Sequence, residues 1–184
     1  MWFVHTSVDW LHLIAGLTGI ALCSAAVLVG PWRRQHGSGA GRPRIAVVAI
    51  CGLAVLAGAV LVGRAALADR YLSDGREVLS TDPAEAIAKA RDSLRLNDED
   101  LDAYYLESAA WARLGDYRRA RAKLAEATGR EPHDFVPWAL LGDLATRRGD
   151  DRQALRDYRR ALSLNPRNQE LVGLIRQVRA GSTP

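Results

Sequence analysis

The chain has 184 residues, 48% of them apolar, and its 25 Lys and Arg against 21 Asp and Glu give a formal charge of +4. Two apolar runs carry no charged residue, 23 residues from Trp10 to Trp32 and 19 from Ile45 to Gly63, which argues against both a disordered chain and a wholly soluble one. Residues 64–184 hold 21 basic and 20 acidic residues, a balance that argues against nucleic acid as a partner.

Residues 1–30 read as a first transmembrane segment, with a helix from about Val8 to Val29 ended by Gly30 and Pro31. At ~1.5 Å per residue, each apolar run covers roughly the ~30 Å hydrocarbon core of a bilayer. A secretory signal would open with Lys or Arg, and the first nine residues have neither. The stretch HTSVDWLHL, His5 to Leu13, places His5, Asp9 and His12 on one helical face at the outer end of this span. Trp2, Trp10 and the histidines also suit an interfacial belt, while an ionisable group at membrane depth is costly and often functional. A metal site would need further ligands that the neighbouring sequence lacks, so no metal and no cofactor are expected.

Residues 31–44 form a basic hinge containing Arg33, Arg34, Arg42 and Arg44 and no acid. Gly30 to Arg44 is too rich in glycine for a helix, and its GSGAG core lacks the Lys-Ser/Thr ending of a phosphate-binding loop. Short loops rich in arginine stay on the cytoplasmic side, which puts the N-terminus and the C-terminal domain outside. A second transmembrane helix is expected over residues 45–66. Cys23 and Cys51 fall one in each apolar run, so the rest of the chain has no disulfide framework, cysteine zinc site or thiol nucleophile.

From residue 67 the sequence repeats itself every 34 residues. Ala86, Ala120 and Ala154 keep that interval, as do Thr81, Gly115 and Gly149, and Asp82, Asp116 and Asp150. Pro132 and Pro166 are separated by the same distance. Asp82 ahead of Pro83, with Glu85 three residues on, reads as a helix N-cap. Gly115 and Gly149 suit the left-handed residue that ends a first helix, and Pro132 and Pro166 close second helices. Leu171, Leu174, Ile175 and Val178 share one helical face, as in a capping helix over residues 169–184.

This pattern resembles the tetratricopeptide repeat family. The unit 135–168 places Trp138, Leu141, Gly142, Ala145, Ala154, Tyr158, Ala161 and Pro166 at the family's signature positions, with alanine where a second aromatic is usual. The unit 101–134 follows with Tyr104, Ser108, Trp111, Gly115, Tyr117, Ala120, Leu124, Ala127 and Pro132, and has Glu107 in place of the usual leucine. The unit 67–100 is degenerate in its first helix. The resemblance implies a short α-solenoid over residues 67–168 with a C-terminal capping helix, so that with the two transmembrane helices expected from the apolar runs the chain is all-α. It also implies a concave face lined by Tyr105, Ala109, Arg113, Ala139, Asp143 and Arg147 that binds a protein or peptide partner.

The segment HTSVDWLHLIAGLTGIA, His5 to Ala21, followed by a further span and these repeats, resembles the C-terminal end of bacterial O-antigen ligase and polymerase proteins. His5, Asp9 and Trp10 are the positions that match, and no catalytic step is assigned to them. Two functions follow as expectations. The chain is a membrane-anchored, extracytoplasmic interaction module of the bacterial cell envelope, tethered in the cytoplasmic membrane. Alternatively it is the C-terminal fragment or split subunit of a ligase-like glycan transferase, working with other membrane helices and not catalytic alone.

Overall fold

The structure, a computed structural model, describes residues 41–181. The first expected span, most of the basic hinge and the residues His5, Asp9 and Trp10 lie outside the described residues. The described chain folds as seven helices with no strand: α1 (Gly41–Val78), α2 (Pro83–Leu96), α3 (Leu101–Arg113), α4 (Tyr117–Arg130), α5 (Val136–Arg147), α6 (Asp151–Leu164) and α7 (Gln169–Gly181). The chain divides into two units, Met1–Gly63 and Arg64–Pro184.

What the first unit contributes to the described residues is the N-terminal part of α1. The helix begins at Gly41, inside the segment expected to be a non-helical hinge. Pro43 falls in its first turn, where a missing N–H breaks no helical hydrogen bond. Nor does the helix stop at residue 66, since it runs on to Val78. Its apolar side chains face solvent, with Leu53 68%, Leu56 62% and Leu61 64% exposed. Among the described residues it is the one helix long and apolar enough to cross a membrane, over Gly52–Val78, where an 18-residue window has a mean hydropathy of 1.6.

The second unit builds its turns as the repeat pattern predicts. Gly115 and Gly149 have φ of 78° and 71°, a conformation that costs glycine nothing and other residues much. Each closes its helix with paired reversed hydrogen bonds. Gly115 N–H donates to Ala112 O and Asp116 N–H to Trp111 O, and Gly149 and Asp150 do the same to Thr146 and Ala145. The next residue then starts the following helix. The side chains of Asp116 and Asp150 accept from the backbone N–H of Arg119 and Gln153, as Asp82 does from Glu85. A Gly-Asp pair thus ends one helix and caps the next within two residues.

The same spacing positions the core. Ala86, Ala120 and Ala154 are all fully buried, as are Ala127 and Ala161, because only a methyl group fits where paired helices touch. Trp138 packs against two clusters at once, one holding Leu124 and Leu141 and one holding Ala154 and Tyr158, and so bridges consecutive repeats. On α7, Leu171, Ile175 and Val178 are buried against the last repeat, covering an apolar end that a solenoid otherwise leaves wet. The degenerate first repeat takes the C-terminal part of α1 as its first helix, with Ala68, Leu72 and Gly75 buried. Gly75 permits that packing, since a Cβ there would stand 2.7 Å from Leu106 Cδ2 and 3.0 Å from Lys89 Cβ.

Candidate functional site

The first helices of the repeats line two adjoining hollows. Between α3 and α5 lies a hollow of about 90 Å3 walled by Tyr105, Ser108, Ala109 and Ala112 on one side and Leu140, Asp143, Leu144 and Arg147 on the other. Between α5 and α7 a wider hollow of about 460 Å3 is walled by Asp143, Thr146, Arg147, Leu174, Gln177 and Val178, with Tyr158 and Asp151 from α6. Asp143 and Arg147 belong to both and form the ridge where the two hollows meet.

Asp143 on this ridge, and Asp134 at the entry to α5, are each held by a tyrosine. Tyr158 Oη donates to Asp143 Oδ1 at 2.6 Å, and burial, with that carboxylate beside it, pushes the phenol up to about 12. Tyr105 Oη donates to Asp134 Oδ2 at 2.8 Å, and its phenol is raised by burial first and by the Asp134 carboxylate second. Asp134 also accepts from the N–H of Val136 at 2.9 Å, fixing the entry to α5. Arg147, by contrast, is exposed and forms no ion pair among the described residues. The groove therefore offers partly apolar walls, the Asp143 carboxylate held by Tyr158, the Asp151 carboxylate in the wall of the wider hollow, and in Arg147 a guanidinium with no ion pair among the described residues.

Of the six residues expected to line this face, the structure brings together Tyr105, Ala109, Asp143 and Arg147. Arg113 is exposed but does not line the hollow. By the 34-residue register Leu106, Ala110 and Arg113 correspond to Leu140, Leu144 and Arg147, so this strip of α3 faces the preceding repeat rather than α5. Ala139 is half-buried against the Ala154 and Tyr158 cluster instead of the hollow. Among the described residues no group of His, Cys, Asp and Glu is arranged to hold a metal ion.

One polar centre escaped the sequence reading of the fold. Glu107 is 1% exposed. Its Oε1 accepts from Arg91 Nε at 2.9 Å and from Trp111 Nε1 at 3.3 Å, and Lys123 Nζ stands 3.6 Å from Oε2. The carboxylate thereby links α2, α3 and α4. A charged residue at a position where the repeat carries leucine was the available signal, and Arg91 and Lys123 on the flanking helices are what make it tolerable.

Residues 136–168 match the sequence profile of the tetratricopeptide repeat. No curated protein matches the chain at a significant level. Among solved structures, the first TPR of Spaghetti (RPAP3) bound to the HSP90 peptide SRMEEVD is 18% identical with a TM-score of 0.55, over 64% of this chain and 94% of that one. The Arabidopsis OM64 TPR domain is 17% identical with a TM-score of 0.56, over 64% and 98%. The Sgt2 TPR domain from Aspergillus fumigatus is 16% identical with a TM-score of 0.56, over 62% and 78%. With the helix pairs, their Gly-Asp turns and the profile match in the last repeat, these likenesses establish that the second unit has the tetratricopeptide-repeat fold.

Proposed function

We propose that the chain is a membrane-anchored scaffold whose concave groove captures an extended segment of a protein partner. The observation that carries this reading is the ridge of Asp143 and Arg147 between two hollows, where Arg147 forms no ion pair among the described residues and Leu140, Leu144 and Leu174 supply apolar wall. An acidic side chain or a C-terminal carboxylate of the partner would meet that guanidinium while apolar side chains occupy the hollows. The RPAP3 neighbour, which shares the fold, holds the acidic peptide SRMEEVD.

The exposed apolar surface of α1 supports anchoring, since such a surface has no favourable place in water. The four hinge arginines support the bacterial cytoplasmic membrane with the repeats on its outer face. Two experiments test the proposal. A photo-cross-linking amino acid at Ala109 in the full chain should yield a discrete adduct in cells, and one at Arg167, outside the groove, should not. With Cys23 and Cys51 removed, a cysteine at Ser182 should react with a membrane-impermeant thiol reagent in intact cells while one at Ser38 resists. Absence of the Ala109 adduct defeats the groove, and the reverse labelling pattern defeats the orientation.

The His5, Asp9 and Trp10 segment favours a second reading, in which the chain completes a ligase-like glycan transferase formed with other membrane helices. Adjacent DNA encoding a polytopic protein with a large external loop would support it. His5→Ala and Asp9→Ala would then abolish glycan transfer by the co-expressed pair.

A further inference from the structure

On a different part of the second unit, the turn joining α3 to α4 borders a pocket of about 690 Å3 that shares no residue with the concave groove. Three guanidinium side chains line it, Arg118 and Arg121 from the start of α4 and Arg148 from the turn joining α5 to α6. Arg118 and Arg148 form no ion pair among the described residues, while Arg121 Nη1 makes a long ion pair, 3.9 Å, with Oδ2 of the buried Asp157. The acid in the pocket wall, Asp116, is already occupied, accepting from the N–H of Arg119 at 2.9 Å and lying 3.4 Å from Arg119 Nε. Gathering like charges around one opening is unfavourable until an anion neutralises them.

The same pocket has an apolar side. Leu114, in the turn after α3, is 49% exposed and is the large apolar side chain that the described residues from Pro83 onward leave in solvent. Tyr117 lies next to it in the wall. Three arginines supply more positive charge than one carboxylate needs, and their forked donors match the several oxygens of a phosphate. The exposed leucine beside them is matched by an apolar tail.

We propose that this pocket binds the phosphate group of an amphiphile, with Arg118, Arg121 and Arg148 on the phosphate and Leu114 and Tyr117 against the first carbons of its tail. A free phosphorylated compound and a lipid headgroup share the phosphate chemistry, and the tail separates them in favour of the lipid.

The test uses the full chain in nanodiscs of neutral phosphatidylcholine, titrated calorimetrically with inorganic pyrophosphate, glycerol 3-phosphate and hexyl phosphate. Hexyl phosphate should bind about tenfold more tightly than glycerol 3-phosphate because of its buried methylenes. Arg118→Gln with Arg148→Gln should weaken it about tenfold or more, as loss of charge-assisted hydrogen bonds does. Leu114→Ser should weaken hexyl phosphate alone and leave pyrophosphate unchanged. Arg167→Gln removes an equal charge outside the pocket and should have no effect. Equal binding of glycerol 3-phosphate and hexyl phosphate would overturn the amphiphile. An equal loss in Arg167→Gln, tighter binding of an Asp- and Glu-rich peptide, or no binding by any phosphate would overturn the site.

Discussion

The ring of Tyr158 fills the volume in which a side chain at position 142 would stand. A Cβ built on Gly142 lies 2.5 Å from both Cδ1 and Cε1 of that ring. The ring cannot withdraw, because it is 1% exposed and its hydroxyl is tied to Asp143. Gly142→Ala should therefore destabilise fragment 64–184 by about 1–3 kcal/mol in urea denaturation, overpacking outweighing the gain in helix propensity. Gly173 sits within α7 with nothing near its missing Cβ, so Gly173→Ala should stabilise by roughly 0.5–1 kcal/mol. Effects of the same sign would mean that the approach of α5 and α6 is not set by Gly142.

Glu107 gives a second pair of opposed outcomes. Arg91→Ala removes the better of the carboxylate's two hydrogen bonds and leaves a buried charge under-satisfied. The same denaturation should show a loss of about 1.5–3 kcal/mol. Glu107→Leu removes the charge together with its need for partners and restores the residue usual in the repeat. It should change stability by under about 1 kcal/mol, or raise it. A larger loss from Glu107→Leu than from Arg91→Ala would show the ion pair itself to be the stabilising element.

The contrast between these two sites marks where the sequence was informative. The 34-residue interval acts on the backbone, so it placed the positive-φ glycines, the capping aspartates and the buried alanines, including Ala154 and Ala161 against Tyr158. It says nothing of how far a long side chain reaches. Tyr105 bridging to Asp134, 29 residues away, and Arg91 reaching Glu107 across helices are therefore invisible to it. Arg113 and Arg147 are equivalent by interval, yet α3 and α5 have different neighbours, and the groove includes one and not the other. The start of α1 at Gly41 was missed for a related reason. Local glycine content argued against a helix that the following apolar run carries through, and the degenerate repeat masked its continuation to Val78.

Alkaline unfolding should report the two carboxylate-bound phenols, Tyr158 and Tyr105. Free tyrosine titrates near 10, and Tyr158 in the fold near 12, raised by burial and by the Asp143 carboxylate. Below pH 10 both the folded and unfolded states hold the proton. Between 10 and about 12 the unfolded chain loses it first, so stability falls as pH rises through that window. Tyr105 is displaced in the same direction. So is Lys123, where burial works against the charge but the hydrogen bond it donates to Glu126 and the negative charge of Glu107 outweigh it. Tyr158→Phe should flatten the decline of stability between pH 10 and 12, measured by urea midpoints. An unchanged slope would show that the Tyr158 phenol does not feel the Asp143 carboxylate.

The groove makes a sharper demand on its arginines than the repeat pattern does. Arg147 borders both hollows, while Arg113, equivalent in register, lines neither. Both are exposed, so replacing either with alanine should shift stability by no more than ~0.5 kcal/mol. Any difference between the variants then reflects capture rather than folding. With the cross-linker fixed at Ala109, Arg147→Glu should cut adduct yield severalfold, because it sets a negative charge against the acidic group the groove is proposed to accept and leaves that group without its charge-assisted hydrogen bond. Arg113→Glu makes the same change of net charge on the same face of the repeat and should leave the yield near wild type. Equal losses in the two variants would point to capture by overall charge. Unchanged yield in Arg147→Glu, with the Ala109 adduct still present, would place the partner's acidic group elsewhere and reduce the ridge between the hollows to packing.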